Sequence, residues 1–192
     1  MKNVIILGAG GNIAKHVIDI LVKKDDTRLT LFLRNKNRLR NQDVSRFLII
    51  EGDVLNINQL KEAITGQDIV YANLSGDLEA MAKNIVKAMK ETGVRRIIAI
   101  SSIGIYDTPL KPVLKPYRKL ADVIEASGLE YTILRPTWFT PADEVDYEIT
   151  RKGEMEKGSV ISQKSLATLI TKIIEAPEKY RDENLGVNKP AS

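Results

Sequence analysis

Three groups of residues in this chain have types and spacings that support chemistry. The first is Gly8-Ala9-Gly10-Gly11, which follows the apolar run Val4-Ile5-Ile6-Leu7 and leads into Asn12-Ile13-Ala14. Read as Gly8-x-x-Gly11-x-x-Ala14, it puts glycines where backbone amides must come close to a ligand, and a small residue where a helix must lie near a strand. Amides gathered at a helix start, backed by the positive end of the helix dipole, hold a pyrophosphate. The second group is Arg34, Lys36, Arg38 and Arg40, with no acid between Arg28 and Gln42. An Asp or Glu just after the second strand of such a unit accepts ribose hydroxyls, whereas a guanidinium pairs with the adenosine 2′-phosphate of NADP. One charge-assisted contact of about 2 kcal/mol corresponds to roughly thirtyfold in affinity. The third group is Ser101, Ser102 and Tyr106, hydroxyls that follow the apolar run Ile97–Ile100.

Alternating strands and helices must position these groups. Apolar, β-prone runs predict strands at 4–7, 28–33, 47–50, 68–72, 95–100 and 129–134, with a short one at 185–187. The first helix opens at Asn12 and carries Ile13, Val17, Ile20 and Leu21 on one face. The second follows Asn56 as N-cap, with Gln59 as its capping-box partner, and stops at Gly66. Leu78, Met81, Ala82, Ile85, Val86 and Met89 form the stripe of a third, ended by Gly93. After a loop bearing Pro109, Pro112 and Pro116, a helix over 117–127 stops at Gly128. The last begins at Ser162 and buries Leu166, Leu169, Ile170, Ile173 and Ile174. Residues 141–158 read as irregular or weakly β. The alternation predicts an α/β fold: a Rossmann-type, doubly wound parallel sheet in three αβα layers, a single domain over 1–192. A small part from about 136 to 192 is expected to cover the substrate.

Composition narrows the chemistry. The chain has 192 residues, 43% hydrophobic and 28% charged, with net charge +4 and no cysteine. The missing cysteines exclude disulfides, thiolate nucleophiles and Cys-ligated zinc or iron–sulfur centres. No run approaches the ~20 apolar residues of a membrane span, and the amino terminus lacks a signal pattern, so a cytoplasmic location without membrane association is expected. The mild positive charge, without aromatic interleaving in 34–46, does not point to nucleic acid. His16 has no partnered motif. The acids Asp143, Glu144, Asp146 and Glu148 lack the fixed spacing of a cation loop, so no metal is expected.

Five features stand in the order found in atypical short-chain dehydrogenase/reductases of the NmrA-like, NAD(P)H-binding branch: Gly-Ala-Gly-Gly at 8–11, Leu33-Arg34-Asn35, Gly52-Asp53-Val54, Ile100-Ser101-Ser102, and the run from Ala126 through Leu134-Arg135-Pro136. The chain resembles that family over nearly its whole length. In size and layout it is also similar to the flavin reductase/biliverdin-IXβ reductase group. The resemblance implies that Gly8, Gly10, Gly11, Asn12 and Ile13 hold the pyrophosphate and that Arg34 and Arg38 hold the 2′-phosphate. It implies that Asp53 and Val54 flank the adenine and that Leu74 and Ser75 line the ribose–nicotinamide path. Ser101 and Ser102 would border the nicotinamide, and Pro136, Thr137, Trp138 and Phe139 would cover it.

One departure bears on activity. The wider family's catalytic pair is Tyr-x-x-x-Lys, in which the lysine lowers the tyrosine pKa for proton transfer. Here Tyr106 is followed four residues later by Leu110, and Tyr117 by Ala121. Reduction of a flavin or quinone asks less of the protein, because the acceptor is already electrophilic and Ser102 or water supplies the proton. The expected function is therefore NADPH-dependent hydride transfer to a flavin, quinone or similar planar acceptor, with Ser102 and Tyr106 as catalytic candidates. Tyr106, Tyr117 and Tyr147 all remain open as the tyrosine facing the pocket. The alternatives are a non-catalytic NADP(H)-sensing regulatory protein and an NAD(P)-dependent epimerase/dehydratase-like enzyme. The expected partner is a small acceptor molecule, in a monomer or a homodimer.

Overall fold

Strand β1 (Lys2–Leu7) lies inside the sheet, and its last four residues are fully buried because both faces are covered by helices. The computed structural model describes residues 1–191. After β1 come α1 (Asn12–Leu21), β2 (Thr27–Leu33), β3 (Leu48–Glu51), α2 (Ile57–Ile64), β4 (Ile69–Ala72) and α3 (Leu78–Thr92). The second half runs β5 (Arg96–Ile100), α4 (Lys115–Glu125), β6 (Glu130–Pro136), β7 (Trp138–Thr140), β8 (Glu148–Arg151), β9 (Val160–Ser162), α5 (Gln163–Glu175) and β10 (Glu183–Asn188). The main sheet has eight strands in the order β3-β2-β1-β4-β5-β6-β10-β8, and β7 pairs with β9 in a small second sheet. Helices α1 and α5 cover one face, and α2, α3 and α4 cover the other. The fold is thus the expected Rossmann-type αβα sandwich. Strand order reverses between β1 and β4, which opens a crevice above their carboxyl ends.

One strand departs from the all-parallel expectation: β8 runs antiparallel to β10. No helix follows β7 to return the chain to the opposite end of the sheet, and parallel pairing needs such a crossover. The chain therefore folds back directly through residues 141–147. The expected short strand at 185–187 is Glu183–Asn188, an interior strand paired to β6 on one side and β8 on the other. Of the segment 136–192, α5 packs on α1 and β10 completes the sheet. The parts that stand off from the sandwich are β7, β9 and the turns around them.

Local chemistry explains most boundaries. The side chains of Asn56, Asp77 and Ser162 accept from backbone amides at the starts of α2, α3 and α5. Gln59 does not reach back to Asn56 as a capping box would: its Oε1 accepts from the Asp53 amide at 3.2 Å. Helix α4 begins two residues before the expected 117, because Pro116 sits in its first turn, where a missing N–H costs nothing. Among the described residues no helix is long and apolar enough to cross a membrane.

Candidate functional site

The glycine turn is held by its surroundings. The amides of Gly8 and Ala9 donate to the Phe32 carbonyl, and that of Gly11 donates to the Gly8 carbonyl. Gly8 has φ +82°, and a Cβ there would collide with the Asn73 carbonyl oxygen. At Gly11 a Cβ would meet the side-chain Nδ2 of Asn73, and at Gly10 it would press on the Arg38 side chain. The turn thus fits only glycine at its tightest positions. Gly11 is the N-cap of α1 and supplies no side-chain cap. Among the described residues, the amides of Gly10, Asn12 and Ile13 donate to no chain acceptor. These free donors at a helix start fit an anionic diphosphate.

The turn opens onto a cleft of about 340 Å³. Its walls bring together the predicted Gly8, Gly10, Gly11, Arg34, Arg38, Asp53, Val54, Leu74 and Ser75. They also include Phe32, Asn35, Gly52, Asn73 and Met81, which the sequence reading did not assign to the site. Phe32 and Met81 read as ordinary core residues. Asn73 carried a usable signal, because a polar residue at the carboxyl end of the strand beside the glycine turn must face the crevice. Asp53 caps its own turn by accepting from the Leu55 amide at 2.9 Å, and Val54 is buried beside it.

The four basic residues divide by partner. Lys36 Nζ lies 3.5 Å from Glu51 Oε2, and Arg40 Nε donates to the Asn37 carbonyl at 3.2 Å. Arg34 and Arg38, the two in the cleft wall, make no ion pair among the described residues. Asn35 fixes their backbone, its side chain capping the short 3₁₀ turn Lys36–Leu39 by accepting from Asn37. Two unneutralised guanidinium groups beside an amide-lined turn fit a cofactor with one phosphate beyond the diphosphate.

The remaining predicted residues lie outside this cleft wall. Asn12 is exposed, and Ile13 sends its side chain into the core. Ser101 and Ser102 follow β5, one strand beyond the Asn73–Ser75 end of β4. Ser101 is buried and donates to the Tyr117 carbonyl at 3.1 Å. Ser102 is half-buried, its hydroxyl on the Ile103 carbonyl at 3.1 Å. Pro136 and Thr137 are buried at the end of β6, the Pro136 carbonyl accepting from the Ile103 amide at 3.1 Å. Beyond them Trp138 is 79% exposed and Phe139 is 44% exposed.

Tyr106 stands in a polar cluster on the α4 side of the sheet. Its hydroxyl accepts from Asn184 Nδ2 at 2.8 Å and donates to Glu125 at 3.5 Å. Its ring faces Arg118, Arg135 and Lys152, with Lys152 Nζ 4.9 Å from the centroid. A lysine absent from the i+4 position in sequence is therefore delivered to Tyr106 by β8 and its following turn. Burial and the Glu125 carboxylate push the Tyr106 pKa up, outweighing Lys152. Tyr147 lies on the opposite side, accepting from Lys172 of α5 at 3.1 Å. His16 bridges α1 to Gln163 at 3.2 Å. Asp143 and Glu144 are paired with Lys164 and Lys189.

Comparison with known proteins gives this geometry its context. The sequence profile of the NAD(P)H-binding family matches residues 8–177. A Rossmann-fold NAD(P)-binding family protein from Shigella flexneri superposes with TM-score 0.92 at 51% identity, over 100% of this chain and 95% of its own. A short-chain dehydrogenase/reductase from Veillonella parvula, in complex with NADP, superposes with TM-score 0.90 at 27% identity, over 99% of this chain and 95% of that one. An isoflavone reductase homolog of Nicotiana tabacum is 25% identical over 81% of this chain, which spans only 53% of that relative's length.

Proposed function

The chain belongs to the NAD(P)H-binding family, and from that membership we propose that it is an NADPH-dependent oxidoreductase reducing a planar acceptor such as a flavin or quinone. The observation that carries the reading is the pair of unpaired guanidinium groups, Arg34 and Arg38, in the wall of the glycine-turn cleft. They grip the 2′-phosphate, while the free amides of Gly10, Asn12 and Ile13 take the diphosphate. Asp53 and Val54 flank the adenine. Leu74 and Ser75 lead the cofactor toward the end of β5, where Ser101 and Ser102 border the nicotinamide.

When bound, NADPH supplies the hydride. The protein's own part is to hold the acceptor against that ring and to replace one proton. Pro136 and Thr137 close the floor, and the exposed Trp138 and Phe139 offer an apolar platform for a flat ring system. Ser102 relays a proton from water, since its hydroxyl is half-buried and tied only to a neighbouring carbonyl. Tyr106 shapes the polar wall behind Ser102 and is the second proton-bearing candidate. The covering part is the β7–β9 region rather than the whole of 136–192. The relative named as an isoflavone reductase homolog supports a reductase role.

Steady-state oxidation of NADPH and NADH with FMN and with a set of quinones tests this directly. Turnover with at least one acceptor and a preference for NADPH are expected. Tight NADPH binding with no turnover on any acceptor would leave only a dinucleotide-binding protein.

A further inference from the structure

Arg135 heads the largest fully buried side chains, at 1% exposure, and projects from β6 on the side covered by α4. Its Nε donates to Asn184 Oδ1 at 2.8 Å. Its Nη1 pairs with the Glu156 carboxylate. Its Nη2 has no hydrogen-bond partner among the described residues. The Tyr106 ring lies 5.2 Å from the guanidinium carbon. A sealed guanidinium with one nitrogen unserved is expensive, because that donor has lost its water and gained nothing.

The group that partly serves it is unusual in origin. Glu156 comes from the irregular turn between β8 and β9, flanked by Gly153 and Gly158, both at positive φ. Its side chain is 20% exposed as a whole, although the oxygen that faces the buried arginine is itself shielded from solvent. Its other oxygen accepts from the Gly104 amide at 2.8 Å. Gly104 lies two residues beyond Ser102, and Arg135 immediately precedes Pro136. Ile103 and Pro136 are joined by a backbone hydrogen bond of 3.1 Å. The carboxylate therefore sits directly behind the residues that border the proposed nicotinamide position.

We propose that Arg135 and the Gly104 amide form a carboxylate-binding subsite, held by the chain's own Glu156 until an acceptor bearing a carboxylate on a flat aromatic frame displaces it. The location beside the acceptor rests on the reductase reading; the anion site itself does not. An incoming carboxylate engages both Nη1 and Nη2 side by side, which Glu156, tied to Nη1 and to Gly104, does not. The released Glu156 returns to water at little cost, because its turn is irregular and already partly exposed. The Tyr106 ring packs on the guanidinium and keeps its plane fixed.

Calorimetric titration of the full chain with 2-naphthoate and with the neutral 2-naphthamide tests this without any turnover. Glu156→Ala should tighten naphthoate by about tenfold, Glu156→Gln by less, and neither should change naphthamide. Arg135→Met, if it folds, should abolish the difference between the two ligands. Equal naphthoate affinity in wild type and both Glu156 variants would overturn the proposal and leave Glu156 as a structural tie. The two readings fail separately: reduction of a neutral quinone without any naphthoate gain removes the subsite alone. A naphthoate gain in a protein that reduces nothing removes the reductase reading and keeps the anion site.

Discussion

On the proposed reading, the cofactor preference follows from which cations lack an ion-pair partner among the described residues. Lys36 is spent on Glu51 and Arg40 on a carbonyl, so the cleft keeps Arg34 and Arg38 for a ligand. Arg34→Ala should raise the NADPH dissociation constant by about tenfold or more and leave NADH nearly unchanged, as read by calorimetry. Equal loss for both cofactors would place Arg34 at the diphosphate or in the fold instead. Trp138 is the chain's one tryptophan and is 79% exposed. Its fluorescence should therefore be quenched on titration with FMN or a quinone if it forms the acceptor platform. Trp138→Ala should raise acceptor KM severalfold, by the roughly 1 kcal/mol of a lost aromatic stack, with NADPH affinity unaltered. Sequence spacing exposed the arginine cluster, but the division of its four members needed the positions of Glu51 and Asn37.

Elements carry the site because their ends are fixed. The turn between β1 and α1 lies tight against Asn73, the residue after β4, with no room for a Cβ at Gly8 or Gly11. Gly8→Ala places a Cβ at φ +82° against the Asn73 carbonyl. It should cost at least about 2 kcal/mol in urea unfolding and weaken both pyridine dinucleotides alike. At the opposite end of the sheet, Arg96 is buried at the start of β5 and donates to the Pro177 carbonyl at 2.7 Å and to Thr132 Oγ1 at 2.6 Å. Burial and the nearby Arg181 bring its pKa down to about 10, against the pull of Glu130. Arg96→Met should lower stability by about 3 kcal/mol, since these acceptors stay buried without a donor. The loss should appear as early proteolysis around 177–182, the link from α5 to β10. Nothing in the periodicity of Arg95-Arg96-Ile97 distinguishes the exposed arginine from the buried one; the register of β5 beside β6 does.

Across the whole molecule, the two faces of the sheet differ beyond β6. The α1/α5 face carries apolar Ile149, Leu185 and Val187 out to β8, where Arg151 and Glu183 pair at its rim, whereas the other face ends in Tyr106, Glu125, Arg135, Lys152 and Asn184. This polar end ties stability to alkaline pH. Burial lowers the Lys152 pKa, but its contacts with Glu125 and Tyr106 more than offset this and leave it above 10.5. Tyr106 is held above 10.0 by burial and Glu125. Both groups keep their protons in the folded state at a pH where the unfolded chain has released them. Stability is therefore present below about pH 10 and falls as pH rises through the folded values. Urea midpoints by circular dichroism should hold steady up to about pH 9.5 and drop as pH rises past about 10, and Lys152→Met should flatten part of that drop. The sequence by itself determined the layered fold, the glycine turn and the basic patch, because each is written in local spacing: 3.6-residue apolar stripes, short β-branched runs, and glycines where a side chain would strike a neighbour. Only the tertiary structure decided that Lys152 stands over Tyr106, that Glu156 caps Arg135 and that β10 lies inside the sheet. Those contacts join residues tens of positions apart, and their energies depend on burial, which no local pattern records.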